Sequence, residues 1–205
     1  MLKYLTYLPK GFKEEINKSW PLILFLHGVA ERGNNVEIVR RNGLPKALEE
    51  GLSIPFVVIA PQCAAEGGWQ PSEVIKVLDD AIEKYPLDLN RIYLTGLSMG
   101  GFGTWKTAND YNDIFAAIVP ICGGGFIYDA AKIKHIPTWV FHGALDEVVP
   151  LSKSQDMVNA LRNLGADVLF TVYPQAKHDS WTETYSNLEL YSWLLKQTKN
   201  KKNIT

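Results

Sequence analysis

The chain has 205 residues, of which 46% are hydrophobic and 21% are charged, and its formal net charge is -1. This balance predicts a single globular domain over residues 1–205 with a sizeable core, and it argues against partners such as nucleic acid or an anionic membrane. The longest apolar stretch, PLILFLHGVA at 21–30, is too short to span a bilayer. Residues 1–12 lack the continuous apolar segment of a signal peptide, so a cytoplasmic location is expected.

Apolar runs typical of β-strands recur along the chain, and helix-like segments separate most of them from the second run onward. This alternation predicts an α/β protein with a mainly parallel twisted sheet and helices on both faces. Segment 36–50 contains Gly43 and Pro45, which predict two short helices or a kink. The strand-like runs are KYLTYL, PLILFLHG, FVVIAP, RIYLTG, AAIVPICGG, TWVFHG and VLFTVYP, and the other predicted helices are 72–84, 99–109, 152–164 and 188–196.

One serine stands between glycines where the fourth run ends, in RIYLTGLSMGGFG at 91–103. The bare pattern G-x-S-x-G is weak evidence, but here a strand precedes it and a helix follows it. Gly96 and Gly100 leave room for the backbone to double back around Ser98. The arrangement resembles the nucleophile elbow of α/β-hydrolases, which holds a serine oxygen above the sheet in a strained conformation.

A serine hydroxyl needs a base and an orienting carboxylate to act as a nucleophile, and in α/β-hydrolases the acid and then the histidine follow the serine. Asp146 comes directly after the run TWVFHG, at a carboxyl end of the sheet, and Glu147 is the alternative acid. His178 is the only histidine after them, so it is the predicted base. The earlier His27 and His142 are expected to be structural.

The oxyanion of the tetrahedral intermediate also needs hydrogen-bond donors. We expect these to be the backbone N–H groups of Met99, directly after the serine, and of Val29, in the loop after PLILFLHG. Trp69 and Trp181 fall in loops at strand ends, where their rings either flank a short or aromatic substrate group or pack at the rim.

These motifs are spread over nearly the whole length of the chain. Together they resemble the motifs of the α/β-hydrolase esterases. The resemblance is strongest to small carboxylesterases, a group that includes predicted peptidases, feruloyl-esterase-like proteins and phospholipase/carboxylesterase enzymes. One departure is Ala30, which replaces the second glycine of the H-G-x-G-E-R-G loop common in similar proteins. If that position requires a positive φ, alanine would strain the loop.

The resemblance implies a serine hydrolase that cleaves small-molecule esters through an acyl-enzyme. Segment 121–137 is too short for a cap domain, so we expect an open site and short-chain or aromatic substrates. A peptidase, amidase or thioesterase would use the same triad, and a non-enzymatic receptor on this scaffold is the remaining alternative.

No Walker sequence, H-E-x-x-H or C-x-x-C occurs, so neither a cofactor nor a metal is expected. The oligomeric state is left open.

Overall fold

The computed structural model describes residues 1–199. Their strands form one seven-stranded sheet with the order β1-β3-β2-β4-β5-β6-β7. β1 is antiparallel to β3, and every other neighbouring pair is parallel, which confirms the predicted mainly parallel sheet. The strands are β1 (Tyr4–Tyr7), β2 (Trp20–Leu26), β3 (Val57–Pro61), β4 (Leu87–Leu97), β5 (Ala117–Ile121), β6 (Thr138–Gly143) and β7 (Val168–Tyr173).

The four helices predicted at 72–84, 99–109, 152–164 and 188–196 are present to within one residue at each end, and two short helices at Ala130–Ile133 and Trp181–Ser186 are additional. The segment interrupted by Gly43 and Pro45 is indeed divided, into a 3-10 helix at Val36–Arg41 followed by a short α-helix. The α-helices are α1 (Gly43–Glu49), α2 (Pro71–Lys84), α3 (Met99–Asp110), α4 (Ala130–Ile133), α5 (Ser152–Asn163), α6 (Trp181–Ser186) and α7 (Leu188–Lys196). None of the helices in residues 1–199 is long and apolar enough to cross a membrane.

The core lies on both faces of the sheet. Successive residues of β2 alternate between the two layers: Leu24 belongs to the layer that contains buried side chains of α2, α3, α4 and α5, and Phe25 to the layer that contains those of α1, α6 and α7. Because both faces are covered, all seven residues of β2 are buried. The carboxyl ends of the parallel strands therefore lie at one open edge of the sheet, where loops can carry polar side chains. Between β5 and β6 the chain forms only a 3-10 turn and the four-residue α4.

Candidate active site

Ser98 lies at the sharp turn between β4 and α3, with φ 52° and ψ -117°. This is a conformation that residues with a side chain rarely adopt, and it is held by the hydrogen bond from the Ser98 N–H to the carbonyl oxygen of Ile121 (3.0 Å). A Cβ at Gly100 would overlap the carbonyl oxygen of Leu26, and one at Gly96 would overlap the carbonyl of Gly100. The two glycines are therefore required by close backbone packing around the serine.

The fold brings Ser98, His178 and Asp146 together from three different loops. The Nε2 atom of His178 is 3.0 Å from the Ser98 hydroxyl oxygen, and its Nδ1 atom is 2.8 Å from Asp146 Oδ2. The other carboxylate oxygen, Oδ1, accepts hydrogen bonds from the N–H groups of Val148 and Val149, each at 2.9 Å. The alternative acid, Glu147, has an exposed side chain in the same loop.

The hydrogen bonds at Asp146 determine which nitrogen of His178 carries a proton. Burial raises the pKa of Asp146, but hydrogen bonds from His178, Val149 and Val148 lower it more, so the pKa lies below the ordinary aspartate value. The carboxylate is therefore ionised at neutral pH and can only accept hydrogen bonds. His178 must donate from Nδ1, which leaves Nε2 free to accept the proton of Ser98.

A second histidine packs behind the acid. His142 is fully buried, and its Nε2 atom donates to the carbonyl oxygen of Val149 (2.9 Å) while lying 3.3 Å from Asp146 Oδ2. Its Nδ1 atom is 2.7 Å from the hydroxyl of Ser154, which is also 2.8 Å from the carbonyl oxygen of Gly123. Burial lowers the pKa of His142 below its ordinary value, so the ring is neutral at neutral pH. The residue ties the acid loop to the loop after β5, a contact that its position in the sequence does not indicate.

The two predicted oxyanion donors both stand at the start of a helix. Val29 begins a 3-10 turn that ends at Glu31, and Met99 begins α3, so neither backbone N–H has an acceptor within its own helix. Ala30 lies inside this turn, and the non-glycine residues with positive φ in the described chain are Ser98 and Cys122. The strain considered for an alanine in this loop therefore does not arise.

The side chains of Arg32 and Trp69 brace the Val29 loop through hydrogen bonds. Arg32 donates to the carbonyl oxygens of Val29 (3.2 Å) and Gly67 (2.9 Å). Trp69 is only 4% exposed, and its indole N–H donates to the carbonyl oxygen of His27 (3.0 Å). Of the two roles open for Trp69, its burial favours packing over contact with a substrate, because the ring lies against Gly103 of α3.

Trp181 lies beside the predicted base. Its ring meets the His178 ring edge-on, with 5.2 Å between the centroids and an angle of 90° between the planes. The side chain is half-buried at the first turn of α6, a helix that the periodicity of the sequence did not predict. Trp181 can therefore restrict the orientation of the imidazole and also present part of its ring to a bound group.

Cys122 also lies under the site, and its sulfur, a carboxylate oxygen of Asp146 and a ring nitrogen of His178 all fall within 4.8 Å of one another. Burial raises the pKa of the Cys122 thiol to about 12. A metal ion binds the thiolate rather than the thiol, and the other two groups already hydrogen-bond to each other. The donor set therefore fits a hydrogen-bonded triad better than a metal centre.

The mainly parallel sheet and the serine at its strained strand-to-helix turn define an α/β-hydrolase. A family model described as Phospholipase/Carboxylesterase matches residues 70–191, more than half of the chain. The chain belongs to this family.

Proteins of known activity and structure support the same classification. A bifunctional acetylxylan esterase/xylanase from Neocallimastix patriciarum is 26% identical over an alignment of 181 residues that covers 84% of this chain and 26% of that protein. The crystal structure of a thermostable esterase has 34% identity and a TM-score of 0.80, over 95% of this chain and 59% of that one. A ferulic acid esterase with 20% identity and a TM-score of 0.67 shares the fold. The chain thus spans about a quarter of the curated relative and somewhat over half of the esterase.

Proposed function

We propose that this chain is a serine esterase that hydrolyses carboxylic esters through an acyl-enzyme. Ser98 attacks the ester carbonyl carbon while His178 takes its proton, and the tetrahedral intermediate collapses as His178 protonates the departing alcohol. Water then attacks the acyl-enzyme by the same route and releases the acid and the free serine. The observation that carries this proposal is the hydrogen-bonded series from Asp146 through His178 to Ser98, at 2.8 and 3.0 Å, on a strained elbow.

Negative charge on the carbonyl oxygen would be stabilised by the N–H groups of Met99 and Val29. Their position at helix starts supports this role, since such groups carry partial positive charge and lack intrahelical acceptors. The side chains at both positions can vary without loss of this interaction, because only the backbone takes part.

The expected substrates are short-chain or aromatic esters. The His178 side chain is 21% exposed, and the short connection from β5 to β6 adds no covering domain in the described chain, which supports an open site. The named relatives are esterases, including one that acts on acetylated xylan, so an ester with a small acyl group is consistent with both observations. A peptidase, amidase or thioesterase activity would use the same three side chains.

The decisive experiment uses Ser98→Ala. We expect this variant to fold and to lose about a thousandfold or more of the turnover of 4-nitrophenyl acetate, because the triad acts as a unit. A fluorophosphonate probe should label the wild type on the peptide containing Ser98 and fail to label the variant. Ser192→Ala, at an exposed position of α7, is the matched control and should retain labelling and activity.

Residual activity of Ser98→Ala within about tenfold of the wild type would remove this serine from the mechanism. Matched ester, thioester and anilide substrates then decide the reaction class. Faster hydrolysis of the anilide than of the ester would show that the protein is an amidase or peptidase, and no turnover of any substrate together with no probe labelling would favour a receptor.

A further inference from the structure

A groove with a volume of about 430 Å³ runs along the exposed face of α3. On the helix side it is lined by Phe102, Lys106 and Asp110, which are spaced four residues apart and so lie in one row. The opposite side is formed by the loop after β5 and includes Gly124, Phe126 and Asp129. The proposed triad does not line this groove.

The aromatic end of the groove begins one helical turn after the nucleophile. The backbone N–H of Phe102 donates to the carbonyl oxygen of Ser98 (3.1 Å), and at 1.5 Å per residue Phe102 lies about 6 Å along the helix axis from the serine. By the same spacing, Lys106 and Asp110 lie about 12 Å and about 18 Å away. A Cβ at Gly124 would come 3.2 Å from the Phe102 ring, so the opposite wall closely approaches the helix here.

The order of the strands indicates which part of an ester this groove faces. β5 lies between β4, which ends at Ser98, and β6, which leads to Asp146. The loop bearing Phe126 is therefore on the side of Ser98 from which His178 approaches, whereas the Val29 loop follows β2 on the other side. Because the proposed base returns its proton to the departing alcohol, the groove lies on the side of the alcohol.

The two ends of the groove differ in chemistry. Phe102 is 39% exposed and Phe126 is 62% exposed, so both rings at this end of the groove are accessible to a bound group. Farther along are the charged side chains of Lys106, Asp110 and Asp129, the last of which pairs with Lys132 at 2.7 Å. A long alkyl chain would remove these charges from water and return no hydrogen bonds, which is unfavourable.

A ring that is rich in hydroxyl groups matches both ends. Its C–H face packs on an exposed phenylalanine ring, and its hydroxyl groups hydrogen-bond to a carboxylate or an ammonium group. We propose that the groove binds a saccharide as the alcohol part of the ester, with its esterified oxygen at His178 and its further ring or rings extending along α3. This assignment rests on the proposed serine-esterase function.

The test compares two substrates that share one acyl group: cellobiose carrying a single acetyl ester, and 4-nitrophenyl acetate. Both form the same acetyl-enzyme, so a change in the ratio of their kcat/KM values reports on binding of the alcohol part. We expect Phe126→Ala to lower the cellobiose-to-nitrophenyl ratio about tenfold, Lys106→Met to lower it about threefold, and Phe126→Trp to keep it. Ile127→Ala is the control, since it removes a neighbouring exposed side chain that does not line the groove.

An unchanged ratio in both Phe126→Ala and Lys106→Met would overturn the proposed saccharide groove. A larger loss with the nitrophenyl ester than with the cellobiose ester would also overturn it and would assign the groove to an aromatic group. These outcomes differ from failure of the esterase proposal itself, in which the wild-type protein hydrolyses neither ester. Unfolding curves of each variant separate a loss of binding from a loss of folded protein.

Discussion

Replacing Asp146 by asparagine tests the proposed mechanism while leaving the shape of the site almost unchanged. The side-chain oxygen of asparagine can still accept from the N–H groups of Val148 and Val149, which now bond to Oδ1 at 2.9 Å. The amide NH₂ then takes the place of Oδ2, 2.8 Å from His178 Nδ1, so two donors face each other. The imidazole avoids this contact by moving its proton to Nε2, and it can then no longer accept the proton of Ser98.

A serine–histidine–aspartate triad held in the wrong tautomer loses about ten thousandfold in kcat, or about 5.4 kcal/mol of transition-state stabilisation. We therefore expect Asp146→Asn to lower the kcat for 4-nitrophenyl acetate by about three to four orders of magnitude. Glu147→Gln is the matched control, because it makes the same chemical change at the exposed neighbouring residue, and it should stay within about twofold of the wild type.

The assay is initial-rate hydrolysis at neutral pH, with thermal unfolding measured on the same samples. A kcat for Asp146→Asn within about tenfold of the wild type would refute the tautomer argument. The reverse ranking of the two variants would transfer the role of the acid to Glu147.

Three further predictions concern stability and substrate range. Gly100→Ala should prevent folding or lower the melting temperature steeply, because its Cβ would overlap the Leu26 carbonyl, whereas Gly68→Ala, with open space around its Cβ, should melt like the wild type. Burial lowers the pKa of His142 and of His27 in the folded protein. Below about pH 6.5 the unfolded chain therefore binds more protons than the folded protein does. As the pH is lowered, the free energy of unfolding should fall by up to about 1.4 kcal/mol per pH unit for each histidine. Urea unfolding at about pH 7.5 and about pH 5.5 measures this, and an unchanged pH slope in His142→Gln would contradict it. Finally, nitrophenyl esters from acetyl to palmitoyl should show the highest kcat/KM for the shortest chains, and a maximum for long chains or activation by micelles would reveal a lipid-binding groove.

The sequence by itself determined the features that depend on neighbours along the chain. Alternating apolar runs and helical periodicity specified the order of strands and helices, because burial on two faces of a sheet leaves that pattern in the residues. The nucleophile elbow could also be predicted from the sequence, since a turn as tight as the one at Ser98 requires small residues at Gly96 and Gly100. His178 could be identified as the candidate base because the acid and then the histidine follow the serine along the chain in this fold.

Only the tertiary structure decided what depends on segments that are distant in sequence. Trp69 follows a loop and could have faced solvent, but α3 packs over it and makes its ring part of the core. The contact of His142 with Asp146, and the meeting of Phe102 with the loop of Phe126, likewise arise from side chains on separate elements. The exposure of a side chain and its contacts are determined by which helices and strands pack together. That packing depends on residues throughout the chain and not only on the neighbours of the side chain in sequence.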